Sequence, residues 1–343
     1  MIIPQYRGVK VEQNAMSSLI NQVKIFSGGA SQALTRGICE FYGIEQGNLT
    51  VSKFSDGEFQ PVYNESVRGC DIFIVQSTNP PAENLLELLM MIDAGKRASA
   101  NSITCIIPYY GFARQDRKDK PRVSIASKMV ADILSTAGAD RVITMELHAP
   151  QIQGFFNIPV DHLEGSIIFV PYIRTLNQDN LVIAAPDVGA SNRIREVAKA
   201  LNLPMVICDK ERKRANEIAN MTVIGDVQGK EVVIIDDIID TGGTLCKAAA
   251  MLKEKGAISV RAMCCHPVLS GKAYENIDNS VITELVVTDT IPLKSHSEKI
   301  KILSVAPLLA RAIRNVHENG SVSSLFKQIY NPGSQTNLEL KSN

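Results

Sequence analysis

The run Glu231-Val232-Val233-Ile234-Ile235-Asp236-Asp237-Ile238-Ile239-Asp240-Thr241-Gly242-Gly243-Thr244 constrains this chain more than any other stretch. An apolar strand signal ends there in paired carboxylates and a glycine-bearing loop. Val232 to Ile235 suits a buried parallel strand, and Leu245 to Lys255, with Ala248, Ala249 and Ala250, suits a helix. The loop therefore lies where strand gives way to helix. Free backbone N–H groups and the positive end of the helix dipole favour an anion at such a junction, and Gly242 and Gly243 let a phosphate approach the backbone. Thr241 and Thr244 add hydroxyl donors. Asp236 and Asp237 would repel a bare phosphate, so they point to ligand hydroxyls or a magnesium ion that need acceptors. A ribose 5-phosphate supplies both halves. The competing reading is a tight turn with an N-cap and solvated acids, but Asp236, Asp237 and Asp240 with Thr-Gly-Gly-Thr exceed what a cap requires. Neither a Walker sequence nor a Gly-x-Gly-x-x-Gly fingerprint occurs, which disfavours a P-loop nucleotidase.

A chain of 343 residues with 45% hydrophobic content can bury a large core, and at roughly 150 residues per domain it divides into two. Lysine plus arginine equals aspartate plus glutamate at 36 each, so no global basic field invites nucleic acid or an anionic membrane. No apolar stretch approaches the ~20 residues of a membrane helix, and the N-terminus lacks a basic segment followed by an apolar one. A cytoplasmic protein is expected. The seven cysteines are scattered, many within apolar runs, and read as reduced core thiols. Cys264 and Cys265 are adjacent on an expected strand, so they face opposite ways and make a poor metal clamp.

Apolar runs alternate with helical segments, as βαβ units and a parallel sheet require. Strands are expected at Val23–Phe26, Asp71–Val75, Ile103–Ile107 and Arg141–Met145, with helices near Ala33–Phe41, Glu83–Ser99 and Ile125–Ala137. The second half offers strands at Leu181–Ala185, Met205–Cys208, Val232–Ile235 and Val260–Cys264, and helices near Asn192–Leu201 and Leu245–Lys255. Pro159 and Gly165 punctuate the chain near Asp161–Gly165. The expected organisation is an N-terminal extension over 1–22, α/β domains over 23–164 and 165–331, and a polar tail over 332–343.

The aspartate-rich loop resembles the phosphoribosyl-diphosphate motif of type I phosphoribosyltransferases and of ribose-phosphate pyrophosphokinases, also called phosphoribosyl diphosphate synthetases. Three further segments favour the latter, in its phosphate-activated class: Phe54-Ser55-Asp56-Gly57-Glu58, Tyr109-Tyr110-Gly111-Phe112-Ala113-Arg114-Gln115-Asp116-Arg117-Lys118, and Leu147-His148-Ala149-Pro150-Gln151-Ile152-Gln153-Gly154-Phe155-Phe156. The resemblance runs from about Val23 to about Phe326. It implies two similar phosphoribosyltransferase-like domains, each a mainly parallel sheet flanked by helices, with one active site between them.

The resemblance also implies roles. Phe54, Asp56, Gly57 and Glu58 would hold the adenine end of ATP, where an aromatic face stacks and acids accept from the amino group. Arg114, Gln115 and Arg117 match the ATP-contacting segment, and an arginine fork suits phosphate oxygens. His148 and Asp187 match the magnesium site, although carboxylate suits magnesium better than imidazole does. The basic cluster Lys210-Glu211-Arg212-Lys213-Arg214 reads as a mobile loop that closes over phosphates, with Lys210 stabilising the transition state and Arg212 meeting ribose 5-phosphate and the transferring group. Asp240 to Thr244 would hold the 5-phosphate, and Asp236 and Asp237 the ribose hydroxyls. Ser321, Ser323, Ser324 and Phe326 match a segment that helps form an allosteric phosphate or ADP site; serines there could equally cap a last helix. The adenine pocket is completed in the family by a neighbouring subunit, implying a homo-oligomer, usually a hexamer.

Three rivals make different demands. A phosphoribosyltransferase would not need the ATP segments. A catalytically silent regulatory subunit should have lost the Lys210 or aspartate segment, and both are present. A transcription factor on this fold would need an added DNA-binding module.

Overall fold

The computed structural model describes residues 21–214 and 217–326, with the backbone alone over 210–214 and 217–221. Its first half runs β1 (Val23–Ser27), α1 (Gln32–Tyr42), β2 (Leu49–Lys53), β3 (Phe59–Tyr63), β4 (Asp71–Val75), α2 (Glu83–Arg97), β5 (Ser102–Ile107), α3 (Ala126–Ala137), β6 (Arg141–Met145) and β7 (Val160–Leu163). The second runs α4 (Ser166–Arg174), β8 (Leu181–Ala185), α5 (Ser191–Leu201), β9 (Met205–Arg214), β10 (Glu217–Ile224), β11 (Glu231–Ile239) and α6 (Gly243–Glu254). It continues with β12 (Ser259–Pro267), α7 (Ala273–Asp278), β13 (Glu284–Thr288), β14 (Ile300–Leu303) and α8 (Ala306–His317).

These strands make a five-stranded sheet, β1-β4-β5-β6-β7, and a seven-stranded one, β10-β9-β8-β11-β12-β13-β14, with β2 and β3 as a separate hairpin. Both large sheets are parallel except for β10, which runs antiparallel to β9. Buried on both faces, parallel strands read as continuous apolar runs, and successive side chains serve different layers. In β1, Phe26 joins Ile72, Ile74 and the α2 and α3 residues Leu88 and Val130, whereas Ile25 joins Phe73, Val75 and Ile38 of α1. Cys264 and Cys265 likewise fall into different clusters, and all seven cysteines are free.

Helix α8 packs on α1, with Arg314 Nη2 donating to the Tyr42 carbonyl at 2.7 Å. The core holding Leu34, Ile38, Leu309 and Ile313 also contains Ile183, Val233 and Met263, so one hydrophobic cluster is continuous between the two large sheets.

Two expectations need correction. The strand expected to stop at Ile235 continues to Ile239, because β12 keeps pairing with it as far as Ile239↔Pro267. The basic segment read as a loop is, in its backbone, the continuation of β9 to Arg214, paired with β10 across Lys210↔Met221 and Arg212↔Ile218. Antiparallel pairing at the sheet margin satisfies its backbone groups, and charged residues are well tolerated there. The extension up to residue 20 and the tail lie outside the described residues.

Candidate active site

The second sheet reverses direction at β8, which is flanked by β9 on one side and β11 on the other. Ligands of open α/β sheets bind beyond the strand carboxyl ends at such a switch point. Pairing of β8 with β11 ends at Ala184↔Ile234, several residues before β11 itself ends. Asp236 and Asp237 therefore stand on a length of β11 whose β8 side is open. Asp237 is 6% exposed, while the Asp236 side chain keeps 27% of its surface.

The turn after β11 places Asp240, Thr241 and Gly242 against the start of α6. Gly242 is the residue before the helix, with φ +73°. Asp240 Oδ1 accepts from Ser270 Oγ, and Oδ2 pairs with Arg114 Nη1 at 2.8 Å. Asn276 Nδ2 donates to the Thr241 carbonyl at 2.9 Å, holding the turn. Burial raises the Asp240 carboxyl, but Ser270 and Arg114 outweigh it and hold it below the ordinary value.

From the first sheet, the segment after β6 brings His148, whose Nδ1 lies 2.7 Å from Asp237 Oδ2. The bond to Asp237 raises the His148 imidazole despite partial burial. Burial pushes Asp237 upward, yet the His148 bond and the Arg193 charge hold its carboxyl well down. Burial and the charge of Asp237 push Asp236 the other way, well above the usual carboxylate range. The two neighbours are thus electrostatically unlike, one ionised acceptor beside one reluctant to ionise.

Arg114, Gln115 and Arg117 share a cavity of about 460 Å³ with His148, Asp119 and Lys120. Asp187 sits in the β8–α5 turn, its Oδ1 accepting from Ala190 N–H at 3.0 Å. Phe54, Asp56, Gly57 and Glu58 form the tip of the β2–β3 hairpin. Phe54 N–H donates to the Glu58 carbonyl at 2.8 Å, Asp56 Oδ1 accepts from Glu58 N–H at 3.0 Å, and Phe54 is 53% exposed. Gly57 lines a different cavity, with Lys53, Asn84 and Glu87. Ser321, Ser323, Ser324 and Phe326 lie in the 3-10 turn after α8 and just before it, where Ser324 Oγ and Asn315 Nδ2 both donate to the Ser321 carbonyl. The side chains of Lys210 and Arg212 lie outside the described ones.

Sequence reading missed two residues of this centre. Arg193, in the first turn of α5, pairs with Glu146 at 2.9 Å and reaches Asp237 at 3.4 Å. His266 of β12 is 2% exposed, and its Nε2 donates towards the Met145 and Glu146 carbonyls at 3.2 and 3.1 Å. Only the three-dimensional meeting of β6, α5, β11 and β12 reveals either.

The family model described as the N-terminal domain of ribose phosphate pyrophosphokinase matches residues 23–138, and that of the phosphoribosyl synthetase-associated domain matches 184–327. A ribose-phosphate pyrophosphokinase of Porphyromonas gingivalis is 54% identical over 307 residues, covering 89% of this chain and 98% of its own. The chain belongs to the ribose-phosphate pyrophosphokinase family. A Campylobacter jejuni protein of the same name is 56% identical over 304 residues, covering 88% of this chain and 98% of its own. The crystal structure of a phosphoribosylpyrophosphate synthetase from Mycobacterium smegmatis superposes with TM-score 0.83 at 39% identity, covering 88% of this chain and all of that one. The two mainly parallel sheets flanked by helices make this an α/β fold of two phosphoribosyltransferase-like domains. The chain is an enzyme, a kinase-type transferase of nucleotide biosynthesis. Among the described residues no helix is long and apolar enough to cross a membrane.

Proposed function

We propose that this ribose-phosphate pyrophosphokinase transfers the β,γ-diphosphoryl group of MgATP to the 1-hydroxyl of ribose 5-phosphate, giving AMP and 5-phosphoribosyl 1-diphosphate. Family membership supports synthesis of phosphoribosyl diphosphate. One observation carries the rest: the arginine-lined cavity of one half opens beside the aspartate turn of the other, joined by the His148–Asp237 and Arg114–Asp240 contacts. A donor with phosphates and an acceptor with a phosphate and hydroxyls fit that pairing.

Asp236 and Asp237 would receive the ribose hydroxyls. Asp240 to Thr244 would receive the 5-phosphate, chiefly on the free N–H groups at the start of α6. Arg114, Gln115 and Arg117 would bind ATP phosphates, and Lys210 with Arg212 would stabilise the migrating group. Diphosphoryl transfer requires in-line placement and charge neutralisation rather than covalent help from the protein. Magnesium, when bound, supplies part of that neutralisation. His148, whose Nε2 remains after Nδ1 is taken by Asp237, and Asp187 would hold it. Among the described residues no group of three or more His, Cys, Asp or Glu side chains forms a metal cage.

The exposed Phe54–Glu58 hairpin tip supports its service to a neighbouring subunit in a homo-oligomer, with a hexamer as our reading. Phosphate or ADP would act at Ser321, Ser323, Ser324 and Phe326. The chain would work in the cytoplasm as domains 23–164 and 165–331.

The decisive experiment incubates the protein with magnesium and ATP, with and without ribose 5-phosphate, and quantifies AMP against ADP. Sugar-dependent AMP with matching phosphoribosyl diphosphate is expected. ADP, or no AMP across a phosphate titration, would overturn the proposal, the second result favouring a silent subunit.

A further inference from the structure

Arg193 has no part in the reading above, yet it stands where the two sheets meet. Its guanidinium Nη1 pairs with Glu146 Oε1 at 2.9 Å, while Nη2 lies 3.4 Å from Asp237 Oδ1 and 3.9 Å from Asp236 Oδ1. Glu146 belongs to the first half and is 5% exposed. It is pinned from several directions: Gly165 N–H donates to Oε2, and His266 donates to its carbonyl. Its φ of +39° is one that a non-glycine residue holds only where its surroundings force it. Arg193 therefore reaches across from a fixed anchor in one half to the aspartate pair of the other. One guanidinium shared among three carboxylates is weak evidence of stabilisation, but a planar fork fixes orientation well.

We propose that Arg193 is a positioning residue for the sugar end of the site. Anchored on Glu146, it holds Asp237, and more weakly Asp236, in the rotamers that receive the ribose hydroxyls. This rests on the assignment of the aspartate pair to ribose. The geometry also makes sugar binding depend on the register between halves, since Glu146 and Asp237 come from different sheets.

Steady-state kinetics with each substrate varied tests this. Glu146→Gln preserves size while removing the anchor charge, and its single amide oxygen can accept from Arg193 or from Gly165 N–H but not from both. The KM for ribose 5-phosphate is expected to rise about tenfold, the scale of one lost charge-assisted bond, with the KM for ATP within about twofold. Arg193→Lys should act in the same direction, and the double variant should be little worse than Arg193→Lys alone. An unchanged sugar KM in Glu146→Gln, equal rises for both substrates, or additive effects would overturn the proposal. Asp237→Asn separates the underlying assignment: an unchanged sugar KM there removes the aspartate pair from ribose binding altogether. A raised one with Glu146→Gln unaffected removes only the role of Arg193. If Glu146→Gln fails to fold, Arg193→Lys against Arg193→Gln decides. Partial recovery of sugar affinity by lysine supports the proposal, and equal values refute it.

Discussion

At the scale of single residues, the centre is organised by which groups are allowed to carry charge. His266 and His162 are both driven down to about 4 by burial, so each is neutral in the fold at ordinary pH. An unfolded imidazole takes its proton near 6.5. Between those values the unfolded chain binds more protons, so stability falls as pH drops through that window. At about 1.4 kcal/mol per pH unit for each group, the pair would cost a few kcal/mol on acidification. Urea unfolding at pH 7 and pH 5 measures this. His266→Gln, which can still donate to the carbonyls but does not titrate, should show a shallower loss; an identical slope would show that His266 does not set it. Lys210 belongs to the same scale. Lys210→Ala is expected to cut turnover by orders of magnitude while ATP binding by calorimetry stays near wild type, since a group acting on developing charge contributes little to the ground state. Unchanged turnover would remove it from the mechanism.

At the scale of elements, the junction of β11 and α6 shows how a local conformation becomes a binding surface. Gly242 holds φ +73°, and a Cβ there would meet nothing nearer than 3.7 Å. The obstacle to a side chain is therefore backbone conformation rather than space, with a cost of roughly 1–2 kcal/mol. Gly242→Ala is expected to lose about that much stability and to raise the KM for ribose 5-phosphate, because relief of the strain turns the N–H groups of the first helical turn. A sugar KM equal to wild type would dissociate the turn from phosphate binding. The same junction marks what a sequence discloses. The strand, the acids and the helix were legible because apolar run, glycines and alanines each have one dominant local outcome. The continuation of β11 through Asp236 was not, since it depends on β12 pairing with it from another part of the chain. Helix α4 was hidden for a different reason: Ile167, Ile168, Phe169, Val170, Tyr172 and Ile173 are all buried, so no polar face reveals a helical period, and Pro171 counts against one. The site residues within compact motifs were readable, whereas Arg193 and His266 work only through partners remote in sequence.

At the scale of the whole molecule, the halves are too closely packed to be independent. Besides the site contacts, Ser77 Oγ donates to the Thr290 carbonyl at 2.6 Å, and α8 closes the chain back onto α1. Leu309 lies in α8 with no exposed surface, in the cluster that includes Ile25 of β1 and Ile183 of β8. Truncating it leaves a cavity in the cluster that both sheets share, and such substitutions cost roughly 2–5 kcal/mol. If the shared cluster couples the halves, Leu309→Ala lowers one calorimetric transition as a unit, and amide exchange in β1 and β8 accelerates by the same factor. Two transitions, only one of them shifted, would instead mean that the halves unfold separately. Joint unfolding bears on catalysis, because His148 and Asp237 meet at 2.7 Å only while both sheets hold their places. A site divided between two sheets needs a core that does not divide with them.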